Sequence, residues 1–257
     1  MTRELLYKVA DGVCFITLNR PERGNALTRE MLTGLHECFS KATSDREVRV
    51  VCLTGSGKKA FCAGGDLGSA VPGAGNSSGP QRYADLLKLM PAFPKPIVAV
   101  VGAPCLAGGL GLMLACDIVL AKQGVFFQAP EVNVGIFPYM VGALLHHDVS
   151  WKRAMDLVLT ARRVSGEEAL AMGLVSRLID ESAFESEVEQ VLAGLAAKSP
   201  IGMQLGKEAF FAMRNTAGYA EALDLLCGAL GKAVQTEDAR EGMAAFMEKR
   251  KPVFKGR

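Results

Sequence analysis

Cysteine pairs, histidine clusters, long apolar runs and an excess of one charge are all missing from this chain. Its seven cysteines, an odd number, include no C-x-x-C pair, so neither a disulfide framework nor a thiolate metal site is indicated. Most of them lie in apolar runs, where a reduced thiol packs as a small hydrophobe. That usage fits a reducing, cytoplasmic compartment. Of three histidines, two are adjacent as His146-His147, a spacing that does not bring two rings to one helix face; with the isolated His36 they are expected to be structural or surface residues. The formal net charge is only +2, and outside the tail Lys249-Arg250-Lys251 and Lys255 the cations are scattered. That removes the case for a nucleic-acid face. No apolar run reaches the eighteen or so residues of a membrane span, and Met1 to Lys8 lacks the apolar stretch of an export signal. A soluble protein is the expectation.

What the chain does have is 257 residues, 49% of them apolar and 22% charged, enough for one large α/β domain with an appended helical part. Leu5 to Ala10 and Val13 to Leu18 flank Asp11-Gly12, the signature of a tight hairpin. Thr28 can cap a helix whose apolar residues Met31, Leu32, Leu35, Phe39 and Ala42 recur at helical spacing, and Val48 to Thr54 reads as a buried strand. Residues 68–80 are poor in bulky side chains and read as a mobile loop before a helical run from Gln81 to Phe93. Ile97 to Val101, a helix from Gly109 to Cys116, and strands Ile118 to Ala121 and Val125 to Gln128 repeat the strand-turn-helix theme. Trp151 to Thr160 is helical, Ser165 to Glu168 is a capping box, Gly173 ends the helix it starts, and Leu174 to Ile179 is the last strand. Thereafter Phe184 to Lys198, Ile201 to Arg214, Tyr219 to Val234 and Asp238 to Arg250 all read as helices.

Two glycine turns carry the chemistry. Phe61-Cys62-Ala63-Gly64-Gly65-Asp66-Leu67 and Ala107-Gly108-Gly109-Leu110-Gly111 each follow a β-like run, so each can aim free backbone N–H groups into one cleft. Two converging N–H groups stabilise an oxyanion.

These segments, together with Leu18-Asn19-Arg20-Pro21, Asn25-Ala26-Leu27, Cys116-Asp117, Pro130-Glu131 with Gly135, Leu170 to Val175 and Arg240 to Phe254, resemble the crotonase superfamily, the enoyl-CoA hydratase and isomerase family, over nearly the whole chain. The resemblance implies an α/β fold, a spiral of repeated ββα units over residues 1–198 that binds acyl-CoA, with a helical region at 199–257 that builds trimers or hexamers. It implies a CoA thioester substrate, no metal and no cofactor beyond that coenzyme A. By position, the N–H groups of Ala63 and Gly108 would hold the thioester oxygen, and Glu131 would be the acid/base. Many hydratases carry a second glutamate where this chain has Gly111. An enoyl-CoA hydratase is the leading expectation, with an isomerase or decarboxylase using Glu131 alone as the alternative, and a non-catalytic acyl-CoA-binding protein as the third.

Tyr139, eight residues past Glu131, and Asp66 are auxiliary candidates. For Asp66 a helix cap is the favoured reading, as packing is for Cys62 and backbone bracing for Asp117. Coenzyme A is assigned to Arg23, Ala26, Ala63, Gly65, Asp66 and Leu67, with the exposed pair Lys58-Lys59 as further phosphate candidates. Phe246 and Lys249 occupy places that in relatives approach the CoA of a neighbouring subunit. Leu86, Met90, Pro130, Phe137, Tyr139 and Met140, with Leu87 and Leu144, are the candidate acyl pocket, an apolar set suited to a fatty, branched or alicyclic group.

Overall fold

A computed structural model describes residues 3–66, 78–214, 216 and 218–257. The expected hairpin is its first element. Strands β1 (Leu5–Ala10) and β2 (Val13–Leu18) pair antiparallel across Asp11 and Gly12, whose φ angles of 51° and 80° are those a tight two-residue turn needs. Helix α1 (Arg29–Ser44) starts where the Thr28 hydroxyl accepts the Met31 N–H, and its apolar face is buried.

From β2 onward the main sheet is parallel. Strands β3 (Val50–Gly55), β4 (Ile97–Val101), β6 (Ile118–Lys122) and β9 (Arg177–Ile179) extend it in the order β1-β2-β3-β4-β6-β9. A second small sheet joins β5 (Cys105–Leu106), β7 (Phe126–Gln128) and β8 (Val164–Ser165) in that order. The repeat is thus a long strand in the first sheet, a short one in the second, then a helix. β4 and β5 lead into α3 (Gly108–Leu114), while β6 and β7 lead through a 3₁₀ turn into α4 (Tyr139–Asp148). This is the repeated ββα unit that the resemblance implies.

Because strand side chains alternate, the central strands feed two cores. Ile16, Val51, Leu53, Ile97 and Ala99 pack with α1 and with α2 (Ser78–Leu89) on one side. Val13, Val50, Cys52, Val98 and Leu120 pack on the other against Phe184, Leu192 and Ala196 of α7 (Phe184–Ala196). Helix α5 (Trp151–Thr160) matches its expected span, and α6 (Gly166–Met172) opens on the Ser165 cap and closes at Gly173. Three helices follow, α8 (Pro200–Met213), α9 (Tyr219–Ala233) and α10 (Glu237–Met247). The nearly buried Asp238 pins the tail to them, its carboxylate accepting from the Ser199 hydroxyl and from the N–H groups of Lys255 and Gly256.

Some boundaries differ from expectation. Helix α2 begins at Ser78, so the last three residues of the expected loop are its first turn, and it ends at Leu89, just before Pro91, which lacks the N–H to continue a helix. The rest of that loop lies outside the described residues. The last strand is only Arg177–Ile179, because Leu174 and Val175 turn into the core. Strands β5 and β8, two residues each, are too short to show any period in the sequence. Among the described residues no helix is long and apolar enough to cross a membrane.

Candidate active site

Three backbone segments end side by side. The Phe61 N–H donates to Pro104 O at 2.9 Å, the Leu106 N–H to Cys62 O at 2.9 Å, and the Ala107 N–H to Gln128 O at 3.0 Å. Residues 61–62, β5 and β7 therefore run parallel, and their continuations, 63–66, Gly108 and 129–131, emerge at one edge. This close approach is what the glycines provide. A Cβ at Gly64, where φ is 93°, would stand 2.5 Å from the Ala107 Cβ, and one at Gly109 would stand 2.3 Å from Cys62 O. Between them Ala107, at φ 50° and ψ −128°, takes a conformation that a non-glycine residue holds only when its surroundings impose it.

Following each N–H corrects the expected oxyanion hole. The Ala63 N–H donates to Gly24 O at 2.9 Å, so it is not a donor toward the cleft. The Gly64 N–H faces the Cys62 sulfur. Among the described residues, the N–H groups of Gly65 and Gly108, with that of Gly109 next along α3, have no protein acceptor, and Gly65 and Gly108 are the pair that takes one such donor from each glycine turn. Ala63 is engaged because Gly24 is held beside it by Asn25. That side chain, fully buried, accepts the Arg20 N–H at 2.8 Å and donates to Ser56 O and Ala60 O at 2.9 and 2.8 Å. Asn25 is a positioning residue that sequence reasoning saw only as part of a motif.

Glu131 opens the 3₁₀ turn Glu131–Val134, which follows Pro130 and is closed by Gly135 in the left-handed conformation. Its Oε2 is buried with no hydrogen-bond partner among the described residues. Burial raises the carboxyl pKa, partly offset by a hydrogen bond from the residue's own N–H. A carboxylate so placed can take up and return a proton nearer neutral pH.

The residue that sequence reasoning missed is Tyr83. It reaches in from α2, only 6% exposed, and its hydroxyl donates to Gly108 O. A Cβ at Gly111 would lie 2.1 Å from that hydroxyl. The phenol thus fills the volume a side chain at 111 would need. Burial, and secondarily the charges of Cys62, Cys105 and Glu131, hold it well above the usual tyrosine pKa. A buried glycine in the middle of an apolar helix was the sequence signal that something large stands opposite.

Of the other candidates, some are placed differently from expectation and some as expected. Asp66 is not an unengaged acid, since its carboxylate accepts from Arg20 Nη1 at 3.0 Å and Arg20 also pairs with Glu4 at 3.1 Å; the helix start it was expected to cap lies outside the described residues. Leu86 and Met90 have no accessible surface and belong to the main core rather than to a pocket wall. Tyr139 stands 73% exposed at the start of α4, its ring beside Phe137, so its hydroxyl is not sequestered with Glu131. Pro130, Phe137 and Met140 are half-buried near the Glu131 turn. Arg23, Lys58 and Lys59 are exposed, Lys59 donating to Glu22 O at 3.1 Å, and Ala26 O accepts from Arg20. Phe246 and Lys249 are exposed at the end of α10, while Leu67 lies outside the described residues. Asp117 braces the backbone as expected, accepting the Ile97 N–H at 2.7 Å and Lys207 Nζ at 2.6 Å. The Cys62 thiol, buried, is pushed up to about 12 by desolvation, which suits packing and not nucleophilic attack. His146 meets Trp151 edge-on and His36 bonds Arg82 O.

The profile of the family described as Enoyl-CoA hydratase/isomerase matches residues 8–257. Among solved structures, the chain is similar to the enoyl-CoA hydratase of Mycobacterium smegmatis (32% identity, 98% of each chain covered, TM-score 0.91). It is likewise similar to the enoyl-CoA hydratase of Bacillus anthracis (30% identity, 99% of this chain and all of that one, TM-score 0.92). Bacillus subtilis YngF, a protein named for enoyl-CoA hydratase/isomerase activity, is 35% identical over 252 residues, which span 96% of this chain and 95% of that one.

Proposed function

The chain belongs to the enoyl-CoA hydratase/isomerase family, and from that premise we propose that it moves a proton at the acyl α-carbon of an enoyl-CoA thioester through an enolate, shifting the double bond with Glu131 as the lone carboxylate base. The observation that carries this reading is the buried Glu131 Oε2, without a partner among the described residues, on the same edge as two N–H groups, of Gly65 and Gly108, that no atom of those residues accepts.

In this mechanism the thioester oxygen lies between the two N–H groups. Ionised Glu131 takes the α-proton, the C–H electron pair becomes the new carbon–carbon π bond, and the carbonyl π pair moves onto oxygen. Donors already aimed at that oxygen lower the barrier by about 3 kcal/mol each. Returning the proton at the γ-carbon completes a 1,3-shift, for which one carboxylate suffices. Tyr83 favours this over hydration, because its neutral phenol stands where a side chain at 111 would supply a second base.

Hydration of the 2-enoyl ester is the second reading, favoured by the two solved hydratases that resemble the chain at 32% and 30% identity. Mass spectrometry after incubation with 2- and 3-enoyl-CoA in ¹⁸O-labelled water decides between them. Double-bond migration without label supports the shift; a labelled 3-hydroxyacyl-CoA supports hydration and refutes the one-base mechanism. Glu131→Gln should lower turnover by at least about a hundredfold while CoA-ester binding persists. An inert parent protein that still binds the ester would leave only a binding role.

The remaining assignments are part of the same proposal. Arg23, Ala26 and Lys58-Lys59 rim the CoA path, the coenzyme enters only as part of the substrate, and Pro130, Phe137 and Met140 meet an apolar acyl chain. Residues 199–257 act as the oligomerisation region of a homotrimer or a pair of trimers. Exposed Leu223, Leu230, Val234, Phe246 and Met247, on helices of which α9 buries no side chain of its own, support it. Seven free thiols, five of them buried, support a reducing, cytoplasmic setting.

A further inference from the structure

Tyr83 is a buried polar side chain of the site that the steps above leave without a positive role. Its hydroxyl donates to Gly108 O, the carbonyl of the same residue whose N–H faces the cleft. Around it the fit is close. A Cβ at Gly111 would meet the hydroxyl at 2.1 Å, the ring carbon bearing it at 3.2 Å and a Val141 methyl at 3.3 Å, and one at Gly108 would already touch the hydroxyl at 3.5 Å. Gly111 is therefore the vacancy that admits the phenol, and the phenol is the bolt on the first turn of α3. That turn needs one, because Ala107 before it is held at a positive φ and its N-terminal residue makes no side-chain cap.

We propose that Tyr83 is a positioning residue for the oxyanion hole: by bonding Gly108 O through the gap left at Gly111, its hydroxyl holds the Gly108 N–H on the line to the substrate's thioester oxygen. This rests on the oxyanion-hole reading above. The phenol does not exchange protons with substrate, since burial keeps it protonated; it acts through the backbone. Its effect is felt where negative charge develops on oxygen, so it belongs to kcat more than to KM.

The test uses the full chain and its Tyr83→Phe, Gly111→Ala and doubly substituted forms. Butyryl-CoA carrying ¹³C at the carbonyl is a non-eliminating probe whose bound C=O stretch in difference infrared spectra reports polarisation by the hole. In the parent the stretch should fall below that of free butyryl-CoA. In Tyr83→Phe it should move part of the way back with affinity kept within about twofold, and kcat on 3-enoyl-CoA should drop about three- to tenfold at nearly unchanged KM. Gly111→Ala should cost more in the parent than in the Tyr83→Phe background, because only in the parent does the new methyl meet the hydroxyl. An unchanged stretch and unchanged kcat in Tyr83→Phe, with the parent polarising its ligand, would overturn the proposal alone. A parent that leaves the stretch at its free value would overturn the oxyanion-hole reading and this proposal with it. A polarised ligand without proton transfer would remove the role of Glu131 and leave Tyr83 standing.

Discussion

Replacing single glycines by alanine around the two turns should separate close backbone approach from catalytic need. In Gly109→Ala the added methyl would sit 2.3 Å from Cys62 O, 2.8 Å from the Cys62 Cβ and 2.9 Å from its carbonyl carbon. All three are backbone or next to it, so no flexible side chain can yield. Either the 61–62 segment or the start of α3 must move, at the cost of an overpacked core, about 2–3 kcal/mol. For a chain of this size that is about 5–10 °C in the unfolding midpoint. In Gly65→Ala no atom of the described residues lies within 4 Å of the new Cβ and φ is outside the left-handed region, so the midpoint should stay level or rise slightly, through the stiffer unfolded chain, by up to about 1 kcal/mol. Because alanine keeps its N–H, turnover should survive as well. Thermal unfolding followed by circular dichroism, with 3-enoyl-CoA turnover on the same samples, is the assay. A Gly109→Ala midpoint within about 2 °C of the parent, or a Gly65→Ala protein as unstable as Gly109→Ala, would refute the placement of these turns.

Glu131→Gln should be more stable than the parent at neutral pH by about 1 kcal/mol, since it removes a buried carboxylate with an unpartnered oxygen. The raised pKa means the folded state binds more protons than the unfolded state above the ordinary carboxyl value of 4.5, so parent stability falls as pH rises through that window. The advantage of the glutamine form should therefore shrink toward acid pH, as unfolding midpoints taken across the pH range will show. Asp117→Ala leaves the Lys207 ammonium, whose side chain is 13% exposed, with the Lys95 and Met90 carbonyls but without its carboxylate, and should cost about 3 kcal/mol in a denaturant titration; Asp117→Ala with Lys207→Met should recover part of it. Asn25→Ala should lose about 2–4 kcal/mol in the same titration, because it leaves Ser56 O and Ala60 O without their donor and puts alanine at φ 56°. Its turnover should fall further than its stability at working temperature explains, as the Gly24 strap on Ala63 loosens.

Much of the fold was legible in the sequence because local chemistry and the final packing agree. Asp11-Gly12 can make the hairpin turn wherever it occurs, Thr28 and Ser165 cap the helices that follow them, and the apolar runs at 50–55 and 97–101 are strands buried on both faces. The turn at Glu131 was legible for the same reason, with Pro130 before it and Gly135 after it.

What the sequence could not decide is where each of these groups points. The N–H of Ala63 faces Gly24 and that of Gly65 has no acceptor among the described residues because a strap from residues 20–27 lies along one side of the turn; no spacing within Ala63-Gly64-Gly65 encodes that. Leu86 and Met90 look like pocket or core equally well in a helical pattern, and only the packing of α2 on α1 put them inside. Tyr83 lies on that same helix, and its partners, Gly108 and Gly111, come from another turn of the spiral. The residue types, their periodicities and the glycines were set locally, by propensity and by φ, and so could be read in order along the chain. The site is made where three strand ends and one helix meet, and contacts between distant segments are chosen by close packing, which exists only once the chain is folded.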